Sequence, residues 1–194
     1  MANNIEIEAK VLIDEQSYKV VKNHCKDHVS DFYTQTNYYI DTPKFDLRNN
    51  GIGLRIREKQ NKYEITLKTP MSEGLLEKTE PITKEQFKEL RDKGVFPETK
   101  IKSFIMMLGF DFKISDLKIL AHLTTERIDI STPTGTFSID KNTYFDKTDY
   151  ELEKEGNNLK EAENFLEDLC ITCKIPYSIN KVSKMARALN ELKQ

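Results

Sequence analysis

Alternation of apolar and charged residues is the feature that most limits what this chain can fold into. In NIEIEAKVLI, Asn4 to Ile13, the residues Ile5, Ile7, Ala9 and Val11 fall on one side, and Glu6, Glu8 and Lys10 on the other. That is the period of a strand with one buried face. The pattern returns in LRIR, where Leu54 and Ile56 oppose Arg55 and Arg57, and in YEITLK, where Tyr63, Ile65 and Leu67 oppose Glu64, Thr66 and Lys68. TERIDI sets Ile128 and Ile130 against Arg127 and Asp129. FSID sets Phe137 and Ile139 against Ser138 and Asp140, and YELE sets Tyr150 and Leu152 against Glu151 and Glu153. LEKTEPI puts Lys78 and Glu80 together on one face.

These segments predict eight strands: Ile5 to Leu12, Thr34 to Asp41, Gly53 to Arg57, Lys62 to Lys68, Leu75 to Ile82, Ile119 to Ile130, Thr136 to Asn142 and Asp149 to Lys154. Turn residues such as EKQN and STPTG separate them as hairpins do. Helices fall between and after. One begins after Asp14 as N-cap, and one is framed by the capping-box pair Thr83 and Gln86 and closed by Gly94. Others are expected over Lys100 to Leu108, Leu159 to Leu169 and Lys181 to Leu192. Hairpin-ordered strands with interspersed helices make an α+β protein on an antiparallel sheet, in a single domain spanning residues 1–194.

Several function classes are disfavoured. The net charge of −2 supplies no global basic field for nucleic acid or anionic membrane. No apolar run approaches the roughly 20 residues of a membrane span, and the N-terminus lacks the order of a signal peptide, so a cytoplasmic protein is expected. The CxxC of Cys170 and Cys173 lacks the second ligand pair of a zinc site, and His24 and His28 lack a third ligand. Both pairs read as ordinary residues, the cysteines half-buried near a helix end and the histidines on the surface.

The charged faces carry the functional signal. Residues two apart on a strand lie about 7 Å from each other. Two like charges there repel by about 0.6 kcal/mol in water and about 2.4 kcal/mol near a protein surface. Glu6 with Glu8, Arg55 with Arg57, and Glu151 with Glu153 all meet that cost. It is offset if cations face the glutamates and phosphate oxygens face the arginines. A sheet of about eight strands can close into a barrel wide enough for one small ligand. With the apolar face turned outward under the helices, the lining would hold Lys10, Arg55, Arg57, Lys68, Lys78 and Arg127. It would also hold Glu6, Glu8, Glu64, Glu80, Asp129, Asp140, Glu151 and Glu153. A densely charged anion brought in with divalent cations, such as oligophosphate with magnesium or manganese, suits such a lumen.

With these residues in place, the sequence resembles the CYTH group, the triphosphate tunnel metalloenzymes. EIEAK matches the E-x-E-x-K of the first strand, YYIDT the aromatic-Asp-Thr segment, and LRIR the L-R-x-R strand, with Lys68 following. TERID places Arg127, Asp140 precedes the E-x-E of Glu151 and Glu153, and SKMAR places Lys184. Ile40 departs from the group by standing where an aromatic usually precedes the Asp. The matches keep the family's order over nearly the whole chain.

The resemblance implies an eight-stranded antiparallel closed β-barrel, a tunnel with a charged interior and helices outside. It implies a metal-dependent phosphohydrolase acting on a small triphosphate or polyphosphate. Lys10, Arg55, Arg57, Lys68, Arg127 and Lys184 would bind substrate. Glu6, Glu8, Asp140, Glu151 and Glu153 would hold Mg²⁺ or Mn²⁺, and Tyr39 would work with Lys68 in catalysis. Inorganic triphosphate is the favoured substrate, because no pocket for a base or vitamin is visible. An adenylate cyclase, a thiamine triphosphatase and a non-catalytic phosphate binder are the alternatives. No nucleic-acid or membrane partner is expected, and the chain would be a monomer or homodimer.

Overall fold

The computed structural model describes residues 2–72 and 74–193. The alternating segments become β1 (Ala2–Glu6), β2 (Glu8–Ile13), β3 (Asp31–Asp41), β4 (Gly53–Lys59), β5 (Lys62–Pro70), β6 (Leu75–Ile82), β7 (Lys118–Thr132), β8 (Gly135–Tyr144) and β9 (Lys147–Glu155). The helices are α1 (Glu15–His24), α2 (Asp46–Asn49), α3 (Lys84–Lys93), α4 (Lys100–Met107), α5 (Leu159–Cys173) and α6 (Lys184–Asn190). The strands form one sheet in the order β1-β6-β5-β4-β3-β7-β8-β9-β2. Pairings β4–β5, β5–β6, β7–β8, β8–β9 and β2–β9 are antiparallel.

Nine strands stand where eight were expected, because the first one divides at Ile7. Its two halves sit at opposite ends of the strand order, so the chain itself joins those ends through one residue. No glycine or proline marks the division, and the alternation runs through it unbroken. The buried face is also shorter than its period suggests. Ala9 and Val11 are buried, whereas Ile5 is 55% exposed.

Helix ends follow the residues that cap them. The Asp14 carboxylate accepts from the Ser17 amide at 2.7 Å. Thr83 and Gln86 form the reciprocal capping box, and Gly94 takes the left-handed conformation that closes α3. Among the described residues no helix is long and apolar enough to cross a membrane.

By internal contacts the chain divides into two compact units. The first comprises Met1–Ile5, Thr36–Leu123 and Lys184–Gln194. Its core sets Leu54, Ile56, Ile65 and Leu67 from β4 and β5 against Phe87, Leu90, Ile101 and Ile105 from α3 and α4. These helices therefore cover one face of the strands, and the alternation leaves Arg55, Arg57 and Lys68 on the other. Asp41, fully buried, anchors α2 by accepting from the amides of Leu47 and Arg48 at 2.9 and 3.0 Å. Burial raises the Asp41 pKa despite those bonds.

The second unit comprises Glu6–Gln35 and Thr124–Ser183. Val11, Ile139 and Leu152 pack with Val21 of α1 and with Ala162, Leu166 and Cys170 of α5. Replacing Leu152 by Ala would cost about 2–5 kcal/mol at such a site. Lys154 shares the Leu152 face and is buried to 1% exposure. Its ammonium donates to the carbonyls of Thr134 (3.0 Å) and Glu155 and lies over the Phe165 ring. Burial lowers its pKa. The turn beneath requires Gly135, where φ is +115° and a Cβ would come within 2.7 Å of the Glu155 carbonyl. Cys25 and Cys170 are buried free thiols pushed up to about 11 by desolvation, so they stay protonated and unreactive near neutral pH. Cys173 is half-buried, and His24 and His28 are exposed.

Candidate metal centre and anion-binding face

Antiparallel register builds the acidic centre of the second unit. Arg127 lies opposite Asp140 across β7–β8, and Asp140 lies opposite Glu151 across β8–β9. One row along, Asp129 faces Ser138, Ser138 faces Glu153, and Glu153 faces Lys10 of β2. The E-x-E spacing puts Glu151 and Glu153 on the same face, with the Asp140 carboxylate beside them. One oxygen from each of Asp140, Glu151 and Glu153 falls within 4.8 Å of the others, and all three residues are buried. Hard oxygen donors at this spacing fit Mg²⁺ or Mn²⁺.

The surrounding side chains hold these acids in place. Arg127 makes a two-bond pair with Asp140, Nε to Oδ1 at 2.8 Å and Nη2 to Oδ2 at 2.6 Å, and also donates to Glu153 Oε2. Burial would lower the Arg127 pKa, but Asp140 and Glu153 outweigh it and hold it well above its ordinary value. The Glu151 carboxylate accepts from Asn180 Nδ2 at 2.7 Å. Asp129 accepts from Tyr33 and Ser138 hydroxyls at 2.9 and 2.6 Å. Lys10 pairs with Glu8 at 2.5 Å. Glu6 ends β1, and neither it nor Glu8 belongs to the three-carboxylate group.

Register also builds the cationic face of the first unit. Arg55 faces Thr66, Arg57 faces Glu64, and Gly53 faces Lys68 across β4–β5. Lys68 in turn faces Glu77 across β5–β6. The Lys68 ammonium lies 2.8 Å from Glu77 Oε1, and Arg55 Nη2 lies 3.6 Å from it. Burial would raise the Glu77 pKa, but Lys68 and Arg55 prevail and hold it below the usual carboxylate range. Arg57 donates to Asn37 Oδ1 at 3.2 Å and approaches Glu64 at 3.7 Å. A Cβ on Gly53 would meet Met185 at 3.4 Å, so the helix carrying Lys184 packs against the start of β4.

Tyr39 is buried on β3 in this face. Burial raises its pKa, and Arg55, Lys184, Arg57 and Arg187 pull the other way without cancelling the shift. The phenol therefore stays protonated near neutral pH and can donate a hydrogen bond to an oxyanion; it is not set up as a base.

Two expected lining residues lie elsewhere. Lys78 sits over the Phe104 ring, and Glu80 accepts the Ile101 amide of α4 at 2.6 Å. Both belong to the helix-covered side, since Lys78 faces Leu67 and Glu80 faces Ile65 in the β5–β6 register. Glu77, which the reading of LEKTEPI passed over in favour of Lys78 and Glu80, holds the position opposite Lys68 instead. Its signal was the hairpin register, which pairs residue 68 with 77. Arg187, one helical turn beyond Lys184, is a second basic residue that periodicity passed over.

The CYTH domain model matches residues 4–189. The chain belongs to the CYTH family. This CYTH protein is 33% identical over 193 residues to YjbK of Bacillus subtilis (strain 168), a candidate triphosphatase, with 98% of this chain and 97% of that protein covered. It is similar in structure to a candidate adenylate cyclase of Bacillus halodurans, at TM-score 0.86 and 31% identity, covering 96% of this chain and 98% of that one. It also shares the fold of HpAC1 from Hippeastrum, a candidate adenylyl cyclase described as having dominant triphosphatase activity. There the TM-score is 0.77 at 22% identity, with 96% and 95% of the two chains covered.

Proposed function

We propose that this CYTH protein is a divalent-metal-dependent triphosphatase acting on a small substrate, with inorganic triphosphate favoured. The observation that carries this reading is the convergence of three buried carboxylates, Asp140, Glu151 and Glu153, within 4.8 Å. Arg127 pairs with Asp140 and Glu153, and further positive charge would offset the cost of burying three carboxylates together. Similarity to YjbK, a candidate triphosphatase, supports the same reaction class.

Asp140, Glu151 and Glu153 would hold Mg²⁺ or Mn²⁺, with Glu6 and Glu8, which lie outside that group, as the further ligands the family resemblance implies. A bound divalent ion supplies charge neutralisation and polarises phosphoryl oxygen and water. Arg55 and Arg57 offer planar forks that donate to two phosphate oxygens each. Lys68 and Lys184 of the first unit, and Lys10 and Arg127 of the second, are the further cations suited to phosphate oxygens. Tyr39 donates its phenolic proton in a hydrogen bond to an oxygen that gains charge in the transition state.

Adenylate cyclization is the second reading, favoured by the resemblance to the Bacillus halodurans structure. A panel of tripolyphosphate, ATP and thiamine triphosphate with Mg²⁺ or Mn²⁺ separates the two. The triphosphatase reading expects phosphate release to be fastest from tripolyphosphate and to collapse in Glu151→Gln. Cyclic AMP as the main product from ATP would favour the cyclase. Phosphate binding with no turnover of any of the three would reject both enzymes and leave a binder.

A further inference from the structure

We propose that Arg127 is the internal counter-cation of the carboxylate cluster: it competes with the divalent ion for Asp140 and Glu153, and metal loading releases it to donate to phosphate. The inference rests on the metal-centre reading above and adds an order of events to it, metal first and Arg127 on the phosphate second.

Three observations carry it. Both oxygens of Asp140 are taken by one guanidinium, and the same Nη2 reaches Glu153 Oε2. An ion held by Asp140 and Glu153 would need lone pairs from those same two carboxylates, and a cation of like sign close by opposes its arrival. Second, the pair lies out of water. The Asp140 side chain is fully buried and that of Arg127 is 14% exposed, so a cation must accompany Asp140 for it to stay charged there. Third, the cluster is divided. Glu151 rests on the neutral amide of Asn180, which is itself fixed by two bonds with the Val182 backbone. Arg127 therefore competes at Asp140 and Glu153 and not at Glu151.

Other charged and polar groups flank the pair. Lys10 faces Glu153 in register and pairs with Glu8 at 2.5 Å. Tyr33 and Ser138 donate to Asp129, the next acid on β7. Arg127 has the geometry of a placeholder. Its planar fork occupies carboxylate oxygens of the same group that could hold an ion.

The test is metal binding without triphosphate. The full chain is stripped with chelator, and Mn²⁺ affinity is measured by calorimetry for wild type, Arg127→Gln and Arg127→Lys. Competition predicts that Arg127→Gln binds Mn²⁺ at least about tenfold more tightly, the effect of removing a unit charge a few ångströms away. Arg127→Lys, which keeps the charge and loses the fork, should gain by a smaller factor. In a Mg²⁺ titration of ¹⁵N-labelled wild type, the Arg127 Nε–H resonance, identified by its loss in Arg127→Lys, should shift as Asp140 lets go. Equal or weaker Mn²⁺ binding by Arg127→Gln, with wild type binding normally, would overturn the proposal and leave the metal centre standing. If Arg127→Gln does not fold, unchanged affinity in Arg127→Lys together with an unmoved resonance overturns it equally. Absence of Mn²⁺ binding by wild type would instead remove the metal-centre reading itself.

Discussion

In the first unit, a cationic sheet face holds Glu77 against Lys68 and Arg55. In the second, an acidic face keeps one guanidinium, Arg127, against Asp140 and Glu153. The two arrangements are mirror images in charge. Each gathers same-sign groups on alternate strand positions and sets opposite charge among them. The pairing geometry differs, and the difference is informative. Lys68 meets Glu77 at one oxygen, a contact easily exchanged, whereas Arg127 takes both oxygens of Asp140. The first face is therefore the looser, suited to a ligand that arrives and leaves, and the second is the tighter, suited to an ion that stays.

The widest separation between the faces should appear in turnover. Arg55→Met and Glu153→Gln should each lower kcat by about 10²–10³, the scale of losing one charge-stabilising group. Raising Mg²⁺ should restore part of the activity of Glu153→Gln and none of that of Arg55→Met. Equal rescue of both in a steady-state metal titration would erase the distinction.

A smaller effect is expected at Glu77. Glu77→Gln should lower stability by about 1–3 kcal/mol in urea unfolding, because Lys68 and Arg55 lose their buried partner. It should also bind tripolyphosphate several-fold more tightly, since a competing anion is gone. Looser binding would show that Glu77 orients the cations more than it competes with ligand.

The pH dependence sharpens the same point. The folded-state pKa of Glu77 lies below its ordinary value of 4.5. Its stabilising contribution is thus full above about 4.5 and is lost as pH falls through the folded value. Unfolding free energies of wild type and Glu77→Gln should converge as the pH is taken down from 6 towards 3. Parallel curves would mean that the carboxylate is not held by its cations.

The smallest effects should come from the other side of the sheet. Lys78→Ala should leave turnover within about twofold, as expected of a substitution on the helix-covered side away from the site. Glu80→Ala should cost about 1 kcal/mol through the lost α4 cap, with kcat unchanged. A large loss of activity in either would return those residues to the ligand face.

Most of this was legible because a strand has period two. Once Leu54, Ile65, Ile139 and Leu152 are assigned to a core, their neighbours Arg55, Glu64, Asp140, Glu151 and Glu153 must face away from it. Periodicity fails where charges occupy successive positions. In LEKTEPI, Glu77 and Lys78 are adjacent, so either could have faced the ligand, and only the pairing of Lys68 with Glu77 decides. The division at Ile7 was hidden for a related reason: alternation reports side-chain direction and is silent on which neighbour a strand pairs with. Ion-pair geometry was out of reach altogether. The sequence supplies Arg127 and Asp140 as opposite charges, but register alone brings them face to face.

Lys154 offers an unplanned handle on motion in the second unit. An amine-acylating reagent in bulk solvent cannot meet its nitrogen until the chain around Thr134 swings clear. Peptide mass spectrometry of timed labelling, with the exposed Lys19 as internal reference, would turn that slow acylation into a stopwatch for how often this hairpin breathes.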